Sequence, residues 1–139
     1  RLRQALSESM KLATAVNQYL DQNAPWSAIK TDRAGAALTI YTALRAIDSL
    51  KVLFAPFLPF TCERLHAYLG YSQPLFGEAF VEERSDSLGE HSVLRYRPAN
   101  ASGRWQPSQL SAGQELKEPA PLFRKLEEKI VEEERARLG

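Results

Sequence analysis

Asn17-Gln18-Tyr19-Leu20-Asp21-Gln22-Asn23-Ala24-Pro25-Trp26-Ser27-Ala28-Ile29-Lys30 contains the first helix boundary of the chain, because one helix must stop inside it and another element must start. The residue before a proline is pushed out of the α region, and proline itself suits the first turn of a new helix. Asn23 and Pro25 therefore end the first helix, and Pro25 to Lys30 form a short helical turn that carries Trp26. Two readings of Trp26 compete on residues alone. As a core aromatic closing the junction, its burial contributes about 1.5–3 kcal/mol; as an exposed platform, base stacking on it is worth about 1–3 kcal/mol. Energy does not choose between them, and exposure does. Lys30 one turn further on and Arg33 nearby favour the surface role, since an aromatic with cations close by is how proteins hold an unstacked base.

Working outward, Leu2, Leu6, Met10, Ala13, Val16 and Leu20 recur at gaps of 4, 4, 3, 3 and 4, which puts them on one stripe of a helix from about Arg1 to Asp21. Asp32 is the expected N-cap of a second long helix with Ala37, Ile40, Leu44, Ile47, Leu50 and Phe54 on its inner face, ending near Ala55 before Pro56. Pro59 opens a third, with Leu65 and Leu69 facing inward and Gly70 as its stop. Residues 1–70 thus predict an all-α bundle with short connections. From 71 to 120 the periodicity vanishes and Gly, Pro, Ser and Asn accumulate, leaving a long irregular segment with room for a brief hairpin around Ala79-Phe80-Val81 and Val93-Leu94-Arg95-Tyr96. So long a stretch is unusual as free loop, so its aromatics, Trp105 included, are expected to pin it to the bundle. A last helix is expected over 121–138, with Leu122, Leu126, Ile130 and Phe123 apolar and Glu127, Glu128, Lys129 and Glu132 to Arg135 solvated.

The 139 residues are 44% hydrophobic and 25% charged, within the ordinary range of one globular domain. The net charge is +1, yet residues 1–72 hold 8 basic against 5 acidic side chains and residues 73–139 hold 10 against 12. A mildly basic first half suits an anionic partner without amounting to a patch for non-specific nucleic-acid binding. Residue 1 is Arg and the amphipathic pattern is already running there, as expected for a piece of a longer polypeptide. One cysteine, Cys62, excludes an intrachain disulfide framework and any multi-cysteine metal site, and fits a reducing, cytoplasmic setting. No apolar run approaches the roughly 18 residues that span a bilayer, so no membrane partner is expected.

Catalytic constellations are nearly absent. Cys62 and His66 share a helical face, but nothing supplies an orienting third group or oxyanion donors, and Cys62 reads as a small buried apolar residue. Glu82-Glu83 and Glu132-Glu133-Glu134 sit in charged surroundings where raised pKa values are not expected. No catalytic, cofactor-binding or metal-binding residues are assigned.

Taken in order, Asn17-x-Tyr19, Ala24-Pro25-Trp26-x-x-x-Lys30, a long helix ending in Phe57-Leu58-Pro59-Phe60, the Leu65 to Gly70 stretch, and then Leu110-x-x-Gly113 and Pro119-x-Pro121-Leu122-Phe123-x-Lys125-Leu126-Glu127 resemble the anticodon-binding helical bundle of methionyl-tRNA synthetases. The resemblance runs from about Gln4 to Glu128, and Gly77 to Gly103 looks like an insertion relative to shorter members. It implies an all-α class Ia synthetase anticodon-binding domain whose partners are the anticodon stem-loop of tRNA(Met) and the chain's own upstream catalytic domain. The tryptophan of the family's Pro-Trp motif stacks on the first anticodon base, the cytosine of CAU, so Trp26 becomes the chief candidate, with Pro25, Lys30 and Arg33 as further RNA-binding residues. Asn17 and Tyr19 are expected to stabilise the junction, through an amide bond to backbone and a ring under the loop. The family's Asn-x-x-x-Arg pair on an earlier helix has no match in the 25 residues before Trp26, so part of the reader is expected to lie upstream. The His-Ile-Gly-His and Lys-Met-Ser-Lys-Ser sequences that work on ATP are also missing, which implies that ATP and methionine bind elsewhere in the parent ligase. Two alternatives stay open: the corresponding domain of another class Ia synthetase, and a helical protein-interaction module.

Overall fold

The computed structural model describes residues 1–99, 101–125 and 127–138. Helix α1 (Leu2–Asn23) ends where Ala24 turns left-handed at φ 36° and ψ 58°, its N–H donating to the Leu20 carbonyl at 2.8 Å. The four-residue helix α2 (Pro25–Ala28) follows at once, with Pro25 in its first turn, where proline's missing N–H and fixed φ cost nothing. Helix α3 (Arg33–Phe54) starts at Asp32, whose carboxylate caps it by accepting from Gly35 N at 2.8 Å. A Cβ on Gly35 would press on that carboxylate, which would have to shift to make room. Helix α4 (Pro59–Tyr68) closes through Leu69 onto Gly70, which sits at φ 85°. The three helix boundaries expected from proline, aspartate and glycine are all found.

Helices α1, α2 and α4 each pack against α3, which makes α3 the central element. Its most buried apolar positions are small, Ala36 and Ala43, with Thr39 between them and Ser9 of α1 also buried. The expected stripe is thus offset: Ala37 and Ile40 are exposed, while Leu44, Ile47, Leu50 and Phe54 are only partly covered. Small side chains let helix backbones approach closely at native packing density, so the seam follows them rather than the larger residues beside them. Of the remaining buried apolar residues, Cys62 lies in α4, Leu69 caps it and Leu75 follows closely, its N–H held by Glu63 of α4, while Leu110 of the irregular segment lies against α3 beside Tyr41.

Two expectations are corrected. The chain is not all-α: strands β1 (Glu78–Asp86) and β2 (Gly89–Arg97) pair antiparallel, from Glu78 opposite Arg97 to Asp86 opposite Gly89. Asp86 Oδ1 accepts from Leu88 N at 2.8 Å in the turn, and ion pairs Glu78–Arg97 and Glu82–Arg95 cross between the strands. Secondly, the last helix, α5 (Glu128–Leu138), begins seven residues later than expected from Pro121. Arg64 Nη2 holds the Leu122 carbonyl at 2.7 Å, and Leu122 and Phe123 line an apolar groove with Met10, Phe54, Leu58 and Leu65, so tertiary contacts take the backbone that a helix would need. Leu126, expected on its apolar face, lies outside the described residues.

The irregular segment is pinned as expected, but by polar side chains of the helices. Tyr41 donates to the Leu110 carbonyl at 2.9 Å, Arg45 to the Ser108 carbonyl at 3.1 Å, and the Glu63 carboxylate accepts from Leu75 N and Phe76 N at 3.0 and 3.3 Å. Buried Asp48 pairs with Lys51 one turn on and accepts from Tyr71 Oη at 3.0 Å and Ser108 Oγ at 2.6 Å. Trp105 meets the bundle only at its edge, lining a groove between α1 and α3 while remaining 69% exposed. Buried polar groups need partners, and the stretches of this segment outside the hairpin obtain them from side chains.

Candidate nucleic-acid interface

The Pro-Trp turn is held by its own backbone. Ser27 N and Ala28 N donate to the Ala24 carbonyl at 2.9 and 3.0 Å, Ile29 N to Pro25 at 3.0 Å, Lys30 N to Ser27 at 3.3 Å and Asp32 N to Ala28 at 2.7 Å. These bonds on both sides of Trp26 fix the course of the turn, which presents the ring with 59% of its surface exposed. That exposure removes one of the two readings of the ring: Trp26 lies on the surface and is not a core plug. Ile29, three residues on along the same helical face, is 51% exposed and widens the apolar surface. The sequence gives no separate signal for Ile29, since an isoleucine at a helix end reads as core.

Lys30 and Arg33 are exposed on either side of the Asp32 cap, and among the described residues neither has an ion-pair partner. Their charges are therefore available to an anion. Pro25, grouped by sequence with the RNA-facing residues, is buried and serves the turn from beneath. Asn17 is exposed on α1, and the amide-to-backbone bond at the junction is made by Asn23 instead, whose Nδ2 donates to the Tyr19 carbonyl at 2.8 Å. Tyr19 is half-buried and lines a groove of about 370 Å³ with Leu12, Val16, Leu50, Leu53 and Trp105, so its ring contributes to the α1–α3 contact.

Elsewhere the ionisable groups are organised for structure. Burial pushes the Cys62 thiol up, against a smaller pull from Lys51, which keeps it a neutral thiol. His66 is committed elsewhere, with Nε2 donating to the Gln73 carbonyl at 2.9 Å and its ring stacked on Tyr71 at 4.4 Å between centroids. Nδ1 is buried without a partner, as suits the lone-pair nitrogen of that tautomer. Burial lowers the Lys51 pKa although Asp48 opposes it, and burial first, then the Asp48 charge, raises that of Tyr71. Glu82 is held below the usual carboxylate range, chiefly by its hydrogen bond from Arg95. Among the described residues no cluster of three His, Cys, Asp or Glu is placed to hold a metal ion, and no helix is long and apolar enough to cross a membrane.

The helical scaffold thus presents an exposed tryptophan at the junction between α1 and α3, with the exposed cations Lys30 and Arg33 following closely in the chain. A family profile for the anticodon binding domain of methionyl tRNA ligase matches residues 1–91. Three relatives, each named methionine–tRNA ligase, align over 99% of the chain: from Thermomicrobium roseum at 56% identity, from Chloroflexus aurantiacus at 50% and from Chloroflexus aggregans at 48%. The chain spans about a quarter of their length, 24%, 23% and 23% respectively. It belongs to the family of methionyl-tRNA ligase anticodon-binding domains.

Proposed function

We propose that this domain selects tRNA(Met) by its anticodon stem-loop for a parent ligase that joins methionine to tRNA with consumption of ATP in the cytoplasm. Trp26 stacks on the first anticodon base, the cytosine of CAU, while Lys30 and Arg33 meet backbone phosphate. The observation that carries this reading is the large exposure of Trp26 on a turn held by backbone hydrogen bonds on either side of it. Stacking alone is sequence-tolerant, because every base has a π-face. Discrimination of CAU then requires hydrogen bonds to base edges in addition to the stacking contact.

Trp26→Ala in the full-length ligase tests the assignment. Charging of tRNA(Met) should fall by at least about tenfold, the equivalent of one lost stacking contact, while methionine-dependent ATP–pyrophosphate exchange stays near wild type. Equal loss of both activities would make Trp26 a structural residue and sink the reading.

A further inference from the structure

Ala24 is the one described non-glycine residue with a positive φ, and it does so immediately before a proline. Two separate steric effects oppose this conformation. The alanine Cβ crowds the following carbonyl in the left-handed region, and the Pro25 ring drives its predecessor toward extended backbone. Glycine takes such helix-terminal positions without that penalty. The strained form persists because its surroundings fix it from both sides. Ala24 N is bonded to Leu20, its carbonyl receives Ser27 N and Ala28 N, and Pro25 is buried. The direction in which α2 leaves α1 is therefore set at Ala24, and Trp26 lies two residues beyond.

We propose that Ala24 is a positioning residue for RNA recognition: its Cβ narrows the left-handed well in which the surrounding bonds hold the junction and so limits the attitudes open to the Trp26 indole. The alanine lowers stability relative to glycine and removes the freedom that glycine would give α2. Strain retained next to a functional group, and pre-organisation of a binding surface, are two sides of this arrangement. The inference rests on Trp26 being the stacking platform.

The test compares full-length ligase carrying Ala24→Gly, Ala24→Asn or Trp26→Ala with wild type, reading KM and kcat for tRNA(Met) charging together with the melting temperature. For Ala24→Gly the melting temperature stays level or rises while KM for tRNA increases about fivefold and kcat stays within about twofold. Ala24→Asn keeps a Cβ and tolerates the left-handed region, so its KM stays within about twofold of wild type. An unchanged KM in Ala24→Gly overturns the proposal, as does a lowered melting temperature or an Ala24→Asn enzyme as impaired as the glycine variant. Unaltered charging in Trp26→Ala removes the underlying reading, and the Ala24 proposal with it, whatever the Ala24 variants do.

Discussion

Lys30 and Trp26 bring different physics to the same turn, and salt separates them. A lysine that meets phosphate acts on every loop sequence alike and releases a counterion, whereas an indole is nearly blind to ionic strength. Lys30→Ala should flatten the slope of log K against log salt by about 0.7 without changing preference among anticodons. Titration of the full-length ligase with stem-loops of different sequence reads both quantities. Gly70 shows how narrow a single position can be. It sits at φ 85°, and a Cβ there would meet the Glu115 carbonyl, so Gly70→Ala combines backbone strain with a clash against unyielding main chain. A loss of about 2 kcal/mol in urea unfolding is expected. At this scale the sequence carried identities better than environments. The Pro25-Trp26 pair, the Asp32 cap and the Gly70 stop were legible because each has a local chemical reason. Ala24 gave no sign of its left-handed turn, since a Cβ disfavours that region and glycine or asparagine is its usual marker, and the junction bond is made by Asn23, which ends α1 and reaches back one turn to Tyr19.

Among elements, the joint between α3, α4 and the irregular segment depends on Asp48, Lys51, His66 and Tyr71. Lys51 Nζ lies 4.0 Å from the centre of the Tyr71 ring as well as pairing with Asp48. Removing one partner of a buried ion pair strands the other, so Lys51→Met should cost about 3–5 kcal/mol, with part recovered when Asp48→Leu is added. Denaturant unfolding of the single and double variants reads the difference. His66 adds a pH dependence. Burial first, and then the Lys51 charge, push its pKa below the ordinary 6.5, while the Gln73 carbonyl, Glu63 and Asp48 pull the other way. The unfolded chain therefore takes up the proton first. The His66 contribution is complete above about pH 6.5 and is lost as pH falls from there toward the lower folded-state value. His66→Phe keeps an aromatic ring to stack on Tyr71 and should abolish that part of the slope. The long helices were readable from their period and their proline and glycine boundaries. The hairpin was only glimpsed, because Ser85-Asp86-Ser87-Leu88-Gly89 lacks an Asn-Gly or Asp-Gly turn signal, and cross-strand ion pairs carry much of its outer surface. The start of α5 was displaced by an arginine 58 residues earlier in the chain, a contact no local pattern can announce.

For the molecule as a whole, apolar surface is distributed unevenly. Leu2, Leu6 and Met10 form an exposed stripe on α1, and Val81 lies opposite Leu94 on an exposed face of the hairpin. Contiguous apolar surface of this kind drives association. The 139-residue chain on its own should therefore self-associate as its concentration rises, and Leu6→Glu with Met10→Glu should shift it toward monomer in light scattering. Family membership was legible at this scale because ordered motifs at both ends of the chain constrain each other, whereas the layout of the middle depends on long-range polar contacts.

Cys62 turns the buried heart of this fold into a clock. Its thiol is 3% exposed beside the α3–α4 contact and is kept protonated by its surroundings, so a thiol reagent can meet a reactive sulfur only after that contact parts. The labelling rate of the single cysteine in this chain then counts opening events at one known place. Lys51→Met should quicken it, while Lys30→Ala, on the outer turn, should leave it unchanged.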